Sequence, residues 1–269
     1  MAFVSLDRAL HIAQTGLNYY TTALATASQN LAATGVIGYK KVNVVGSDLP
    51  YTRLDPAGAF TSAQETINPT GIEIGLGVRI GAISRDFREG DLVKTDKPLD
   101  LAISGEGFFQ ILLPNGTFAY TRAGSFTVSA TGQLVTQPGG FPVTPAITFP
   151  LDTTGVKITE NGQVLIYQMG GTTSTQLGQI LLSTFFNPGG LAAMGDTMFT
   201  ETEASGMPTS GIPMTNNAGF IKQGYVESSN SNTLEDVIDL MRIEKQYNFL
   251  TKVLNTATSM WEQDARIGA

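Results

Sequence analysis

Two stretches, one at each end of the chain, repeat apolar residues at alternating spacings of three and four. Near the start these are Leu6, Leu10, Ala13, Leu17, Tyr20, Leu24, Ala27 and Leu31. Near the end they are Leu240, Ile243, Tyr247, Leu250, Leu254, Ala257 and Trp261. Such spacing places a narrow apolar seam on a helix, the pattern of a coiled coil rather than of a broad globular face. Ser5 suits the start of the first helix and Gly35 and Gly38 suit its end, so that it would extend about 42 Å. Asn232 with Glu235 marks the entry of the second, predicted over about 233–266 and about 50 Å long. Leu234, Ile238, Met241, Phe249, Val253 and Met260 lie off that seam. Either the protein's own β body covers this second set or other copies of the chain do; a two-helix hairpin has no core for two stripes, which favours other copies.

The texture between the helices is different. Leu99, Leu101 and Ile103 alternate with polar or small residues, as in a half-buried strand. Phe109, Ile111 and Leu113 lead to Asn115-Gly116 and then to Phe118 and Tyr120, a strong hairpin signal. Similar turns stand at Thr131-Gly132 and Asn161-Gly162, and Ile180, Leu182 and Thr184 suggest a further strand. The expected fold is therefore α+β: an antiparallel pair of long, coiled-coil-like terminal helices flanking an all-β body. Its segments would be an N-terminal helix over 1–39, an extended connector over 40–81, an outer β domain over 82–202, a returning connector over 203–232 and a C-terminal helix over 233–269.

Composition removes most chemistry. The 269 residues include no Cys and one His, which excludes thiolate nucleophiles, disulfides and thiolate or multi-histidine metal sites. A net charge of −7 leaves no basic footprint for nucleic acid. Residues 12–39 lack charge but carry too many amides and hydroxyls for a membrane span, and Asp7 stands where a secretory signal would be basic. His11 lies far in sequence from any nucleophile-like loop. Asp96 with Asp100 and Glu201 with Glu203 read as solvated turns, because sequence proximity does not make the cleft a glycosidase needs. Gly75-Leu76-Gly77-Val78-Arg79-Ile80-Gly81 lacks the spacing and βαβ context of a dinucleotide loop. No catalytic, cofactor-binding or metal-binding residue is expected.

Three segments carry a more specific signal. The first is Ser28-Gln29-Asn30-Leu31-Ala32 leading to Gly38-Tyr39-Lys40. The second is Thr95 to Phe109 (TDKPLDLAISGEGFF) followed by Tyr120-Thr121-Arg122-Ala123-Gly124-Ser125-Phe126. The third is Gln223 to Asn232 (QGYVESSNSN). In this order they resemble the bacterial flagellar rod and hook axial proteins, most closely the distal-rod members. The length fits, as do Leu49 to Phe60 and Gly75 to Arg79, while Ala33 and Val36 depart from the usual Asn and Thr.

The resemblance implies terminal helices forming an inner tube and a β domain outside it. It also implies export, without a cleaved leader, through the type III apparatus. Further implications are assembly in the periplasm as a helical homopolymer, contact with proximal rod, hook and surrounding ring proteins, and no membrane insertion. Self-packing is expected from Leu6, Leu10, Leu17, Leu24, Leu31, Leu240, Ile243, Tyr247, Leu250, Leu254 and Trp261. Asn30 and Gly38 would shape the first helix exit, and Asn230 and Asn232 the second helix entry. Leu49, Tyr51, Arg53 and Phe60 would brace neighbouring subunits. A proximal rod or short hook-type protein remains an alternative, as does a carbohydrate hydrolase on a β scaffold; an adhesin would show tandem β repeats and a leader.

Overall fold

The computed structural model describes residues 2–55, 70–168, 174–215 and 217–267, with the side chains of 2–6, 55, 264–265 and 267 left aside. Among the described residues there are two α-helices, α1 (Ala2–Ala32) and α2 (Thr233–Ile267), and a β-rich body. The chain divides into two compact units. One comprises Met1–Leu31, Val42–Ser84 and Leu234–Ala269; the other comprises Ala32–Lys41 and Arg85–Thr233.

The first unit contains both helices. No Gly or Pro interrupts the chain before Gly16, so α1 begins at Ala2 and Ser5 lies within it rather than capping it. The stretch expected as a connector holds paired strands, Val42–Asp48 with Val78–Arg85 and Tyr51–Asp55 with Ile72–Gly75. Helix α1 packs on the first of these ribbons. The Thr15 hydroxyl accepts a hydrogen bond from the Val78 amide at 3.3 Å. A Cβ added at Gly46 would lie 3.0 Å from the Tyr19 ring.

This packing corrects the expected coiled-coil-like antiparallel pair. A coiled coil buries its large seam residues as knobs. Here Leu10, Leu17, Leu24, Leu31, Leu240, Ile243, Tyr247, Leu250 and Leu254 are only half-buried, and Trp261 is exposed. Among the described helix residues the buried positions are Ala13, Ala23, Ala27, Asn30, Asp236 and Ala257. Small residues let backbones approach without supplying an interlocking core. At Gly16, where a Cβ would lie 3.1 Å from Leu250 Cδ1, α2 comes close to α1. Among the described residues, no helix is long and apolar enough to cross a membrane.

The second unit holds both hydrophobic cores. A six-stranded sheet runs in the order Ala192–Gly195, Met198–Thr200, Phe118–Thr121, Phe108–Leu112, Leu182–Thr184, Thr209–Gly211. Phe108–Leu112 and Phe118–Thr121 form an antiparallel hairpin around Asn115-Gly116, with Gln110 opposite Tyr120. Gly116 has φ +82°, the left-handed conformation such a turn requires. Thr153–Ile158, Gln163–Gln168 and Ser174–Gln179 form a second sheet, turning at Asn161-Gly162. Ile180 lies just beyond that sheet, so the next strand begins at Leu182.

Alternate residues of Phe108–Leu112 serve different cores. Phe109 and Ile111 enter the main cluster with Leu101, Ile103, Val164, Ile166 and Leu182. Phe108 joins Tyr120, Phe185, Leu191 and Phe199 in an aromatic cluster of edge-to-face rings. Leu101, Ala102 and Ile103 are all buried, so their strand is covered on both faces rather than half-buried. Two long-range pairings complete the unit: Phe220–Gln223 with Leu101–Ser104, and Tyr225–Glu227 with Leu92–Lys94. The late chain is thereby drawn back beside residues more than a hundred positions earlier.

Candidate assembly surface and a buried ion cluster

Short polar side chains fix the backbone at the helix roots. The Asn30 amide donates to the Val42 carbonyl at 2.7 Å, and its oxygen accepts from the Val42 amide at 3.0 Å. One carboxamide thus satisfies both backbone groups of the residue that opens the first strand. Asn230 plays a similar part in the β-rich unit. Its oxygen accepts from the Lys41 amide at 2.7 Å, while its nitrogen donates to the Asp86 and Arg88 carbonyls at 2.8 and 3.2 Å. Asn232 immediately precedes α2. Gly38 has φ +70°, and a Cβ there would fall 2.5 Å from the Ala123 amide nitrogen, so only glycine fits.

The β-rich unit also contains a cluster of charges. Lys40 Nζ contacts Glu227 Oε1 at 2.5 Å, with both side chains fully buried. Arg122 Nη1 reaches Glu227 Oε2 at 3.3 Å, and the Gly90 amide donates to Oε1 at 3.0 Å. Lys40 Nζ also donates to the Arg88 carbonyl at 2.6 Å and Arg122 Nη2 to the Gly105 carbonyl at 2.8 Å, whereas the buried Arg122 Nε makes no hydrogen bond among the described residues. The Arg122 guanidinium lies 5.3 Å from the Phe108 ring centre. Burial pushes the Lys40 ammonium below the ordinary lysine value, and Glu227 partly opposes that shift.

The cluster joins three signature segments, since Lys40, Arg122 and Glu227 come from the first, second and third in turn. Sequence reading passed over all three as a group. The available signal was a charged residue within each signature of a chain that is only 14% charged.

The carboxylates weighed for catalysis do not converge. Asp96 is exposed and paired with Lys94 at 3.0 Å, Asp100 is buried, and Glu201 and Glu203 are exposed. His11 is exposed on α1. A cavity of about 500 Å³ lies beside Phe87, Glu89, Phe108 and Arg122. Two carboxylates at its wall hold backbone: Asp86 accepts from the Arg88 amide at 3.0 Å, and Glu89 accepts from the Gly105 amide at 3.1 Å. Among the described residues, no group of acidic, His or Cys side chains could hold a metal ion.

Tyr120 provides a pH probe of the aromatic core. Burial, with the Glu201 carboxylate adding to it, pushes its phenol up to about 12. Folding therefore favours the protonated form. The associated stability is present below pH 10 and is lost as pH rises through about 12. Equilibrium unfolding at pH 9, 11 and 12 should show this decline, and Tyr120→Phe should flatten it. Titration of Tyr120 in the folded chain near pH 10 would contradict it.

The outward side of α2 carries exposed apolar residues, with Arg242, Lys245 and Lys252 exposed among them. Leu234, Ile238, Met241, Phe249 and Met260 are 75, 64, 62, 67 and 53% exposed, and Val253 is exposed beside them. They form a stripe on the side of α2 away from the half-buried seam. The other named positions are scattered. The Leu49 amide bonds the Gly77 carbonyl at 2.8 Å, Tyr51 is exposed beside Gly75, and Arg53 pairs with Glu73 at 2.7 Å on the surface. Phe60 and the Leu6 side chain lie outside the described residues.

Comparison with known proteins gives this arrangement its context. Residues 102–166 match the model of the flagellar hook protein FlgE/F/G D1 domain, and residues 222–267 match the flagellar basal body rod FlgEFG protein C-terminal model. The chain is 38% identical to the flagellar basal-body rod protein FlgG of Buchnera aphidicola subsp. Acyrthosiphon pisum, over 94% of this chain and 97% of that protein. It belongs to the FlgG family of flagellar basal-body rod proteins. FlgG of Caulobacter vibrioides is 36% identical over 97% of this chain and 99% of its own. The hook protein FlgE of Borreliella burgdorferi, at 32% identity, matches only 51% of this chain.

As a FlgG-family member, the chain is a structural subunit of the flagellar distal rod and not an enzyme. Its place is the flagellar basal body.

Proposed function

We propose that this subunit transmits torque as part of a helical shaft, with the outward stripe of α2 covered by neighbouring copies. The observation that carries the reading is the makeup of the helical unit. Among its described residues the buried apolar side chains are Ala13, Ala23, Ala27, Val42 and Ala257, and both hydrophobic clusters lie in the other unit. Two helices of 31 and 35 residues with so little core are ill suited to stand alone.

Covering a large apolar side chain contributes roughly 1.5–3 kcal/mol, so the six stripe residues together offer on the order of 10 kcal/mol. Association costs about 4–15 kcal/mol. One helix contact therefore barely pays its way, which favours a lattice in which each copy touches several others. A head-to-tail contact that does not close generates such a lattice.

The strand bearing Tyr51 and Arg53 is the proposed brace between copies, together with Leu49 just before it; Phe60, the fourth residue of that proposal, lies outside the described residues. Surrounding ring proteins and the type III export apparatus are the further partners, and the rod's span lies in the periplasm. Electron microscopy, sedimentation and far-ultraviolet circular dichroism of the purified chain over a concentration series test the reading. Open-ended polymers should form with a gain in helical signal. A monodisperse chain with constant helix content at every concentration would overturn it.

A further inference from the structure

We propose that Met241 and Met260 make assembly sensitive to hydroperoxides: oxidation of their thioethers before polymerisation prevents neighbouring copies from covering the α2 stripe. The inference rests on the self-assembly reading above. The chain has no cysteine, so its methionines are its only sulfur atoms. Met241 and Met260 are both more than half exposed in the free subunit. Both also stand within the stripe, Met241 one turn from Ile238 and Met260 two turns from Val253.

The chemistry is a two-electron oxygen transfer. A sulfur lone pair attacks the terminal peroxide oxygen, the O–O bond breaks, and the proton on the transferred oxygen passes to the departing hydroxide or alkoxide, so that the thioether becomes a sulfoxide and the peroxide is reduced to water or an alcohol. The product replaces a flexible apolar group with a polar S=O acceptor. In water that acceptor is solvated at little cost. Covered by another copy it gives up that solvation, and burying it unpaired is unfavourable. Assembly in turn hides the sulfur from peroxide, so sensitivity is confined to the subunit before it is incorporated.

The molecule contains its own controls. Met194, Met207 and Met214 are also exposed, but they belong to the β-rich unit and not to the stripe. Met198 is half-buried against the main core.

Purified chain would be treated with hydrogen peroxide either before or after polymerisation, and each methionine read by peptide mass spectrometry. Oxidation beforehand should raise the critical concentration at least tenfold, and Met241→Leu/Met260→Leu should abolish that rise, because leucine keeps the volume without the sulfur. Met194→Leu/Met207→Leu/Met214→Leu should leave the rise intact. In the polymer, Met241 and Met260 should be protected while Met194 reacts. Equal critical concentrations for oxidised and untreated chain, or equal reactivity of Met241 in monomer and polymer, would overturn the proposal and leave self-assembly standing. Failure of the untreated chain to polymerise would overturn both.

Discussion

Glu227→Leu is expected to destabilise the β-rich unit by about 3–5 kcal/mol, because it leaves two buried cations without their anion. Glu227 now accepts from Lys40 Nζ at 2.5 Å, Arg122 Nη1 at 3.3 Å and the Gly90 amide at 3.0 Å. Leucine is similar in bulk but satisfies none of these donors. Chemical denaturation followed by near-ultraviolet circular dichroism checks this as a shift of the midpoint. The triple change Lys40→Met/Arg122→Met/Glu227→Leu should recover most of the loss, since it removes the charges together with their desolvation cost. A loss below about 1 kcal/mol for the single variant would mean that water reaches the cluster. The ion cluster therefore acts chiefly as a condition on folding: the unit is complete only when residues 40, 122 and 227 meet.

Ile238→Ser/Phe249→Ser is expected to raise the critical concentration for polymerisation by a hundredfold or more and to leave the β-rich unit unchanged. Both side chains are more than 60% exposed on α2, so the free subunit loses little when they are truncated. If each contributes roughly 1.5–3 kcal/mol once covered, the pair exceeds the ~2.7 kcal/mol that corresponds to a hundredfold change. Sedimentation gives the critical concentration, and the Tyr120 titration reports the intact aromatic core. Polymerisation at the unmodified concentration would show that this stripe is not an interface. Leu250, which lies against Gly16 within the same unit, is a useful contrast: Leu250→Ala should alter the free subunit itself.

Much of the secondary structure could be read from neighbouring residues. Asn115-Gly116 and Asn161-Gly162 specify hairpins because glycine reaches positive φ cheaply, and Gly116 and Gly162 both have φ +82°. The three-four spacing located both helices because apolar residues at that spacing fall on one face. The same spacing misled about their partner. Periodicity reports which face is apolar but not what covers it, and α1 also rests on the ribbon that contains Val78 and Gly46. Asn30 stood out in its motif, but its two bonds to Val42 depend on how the chain leaves the helix.

By itself, then, the sequence determined the two helices, the hairpins at Asn115-Gly116 and Asn161-Gly162 and the family signature, all of which depend on residue type and short-range spacing, but not the strands within the two stretches read as connectors. Tertiary structure alone decided that Lys40, Arg122 and Glu227 form one buried cluster. Glu227 lies 187 positions from Lys40 and 105 from Arg122. They meet because Phe220–Gln223 and Tyr225–Glu227 pair with Leu101–Ser104 and Leu92–Lys94, carrying the late chain back across the unit. Charge pairing over such distances depends on strand register, and register is set by the packing of the whole core rather than by any local run of residues.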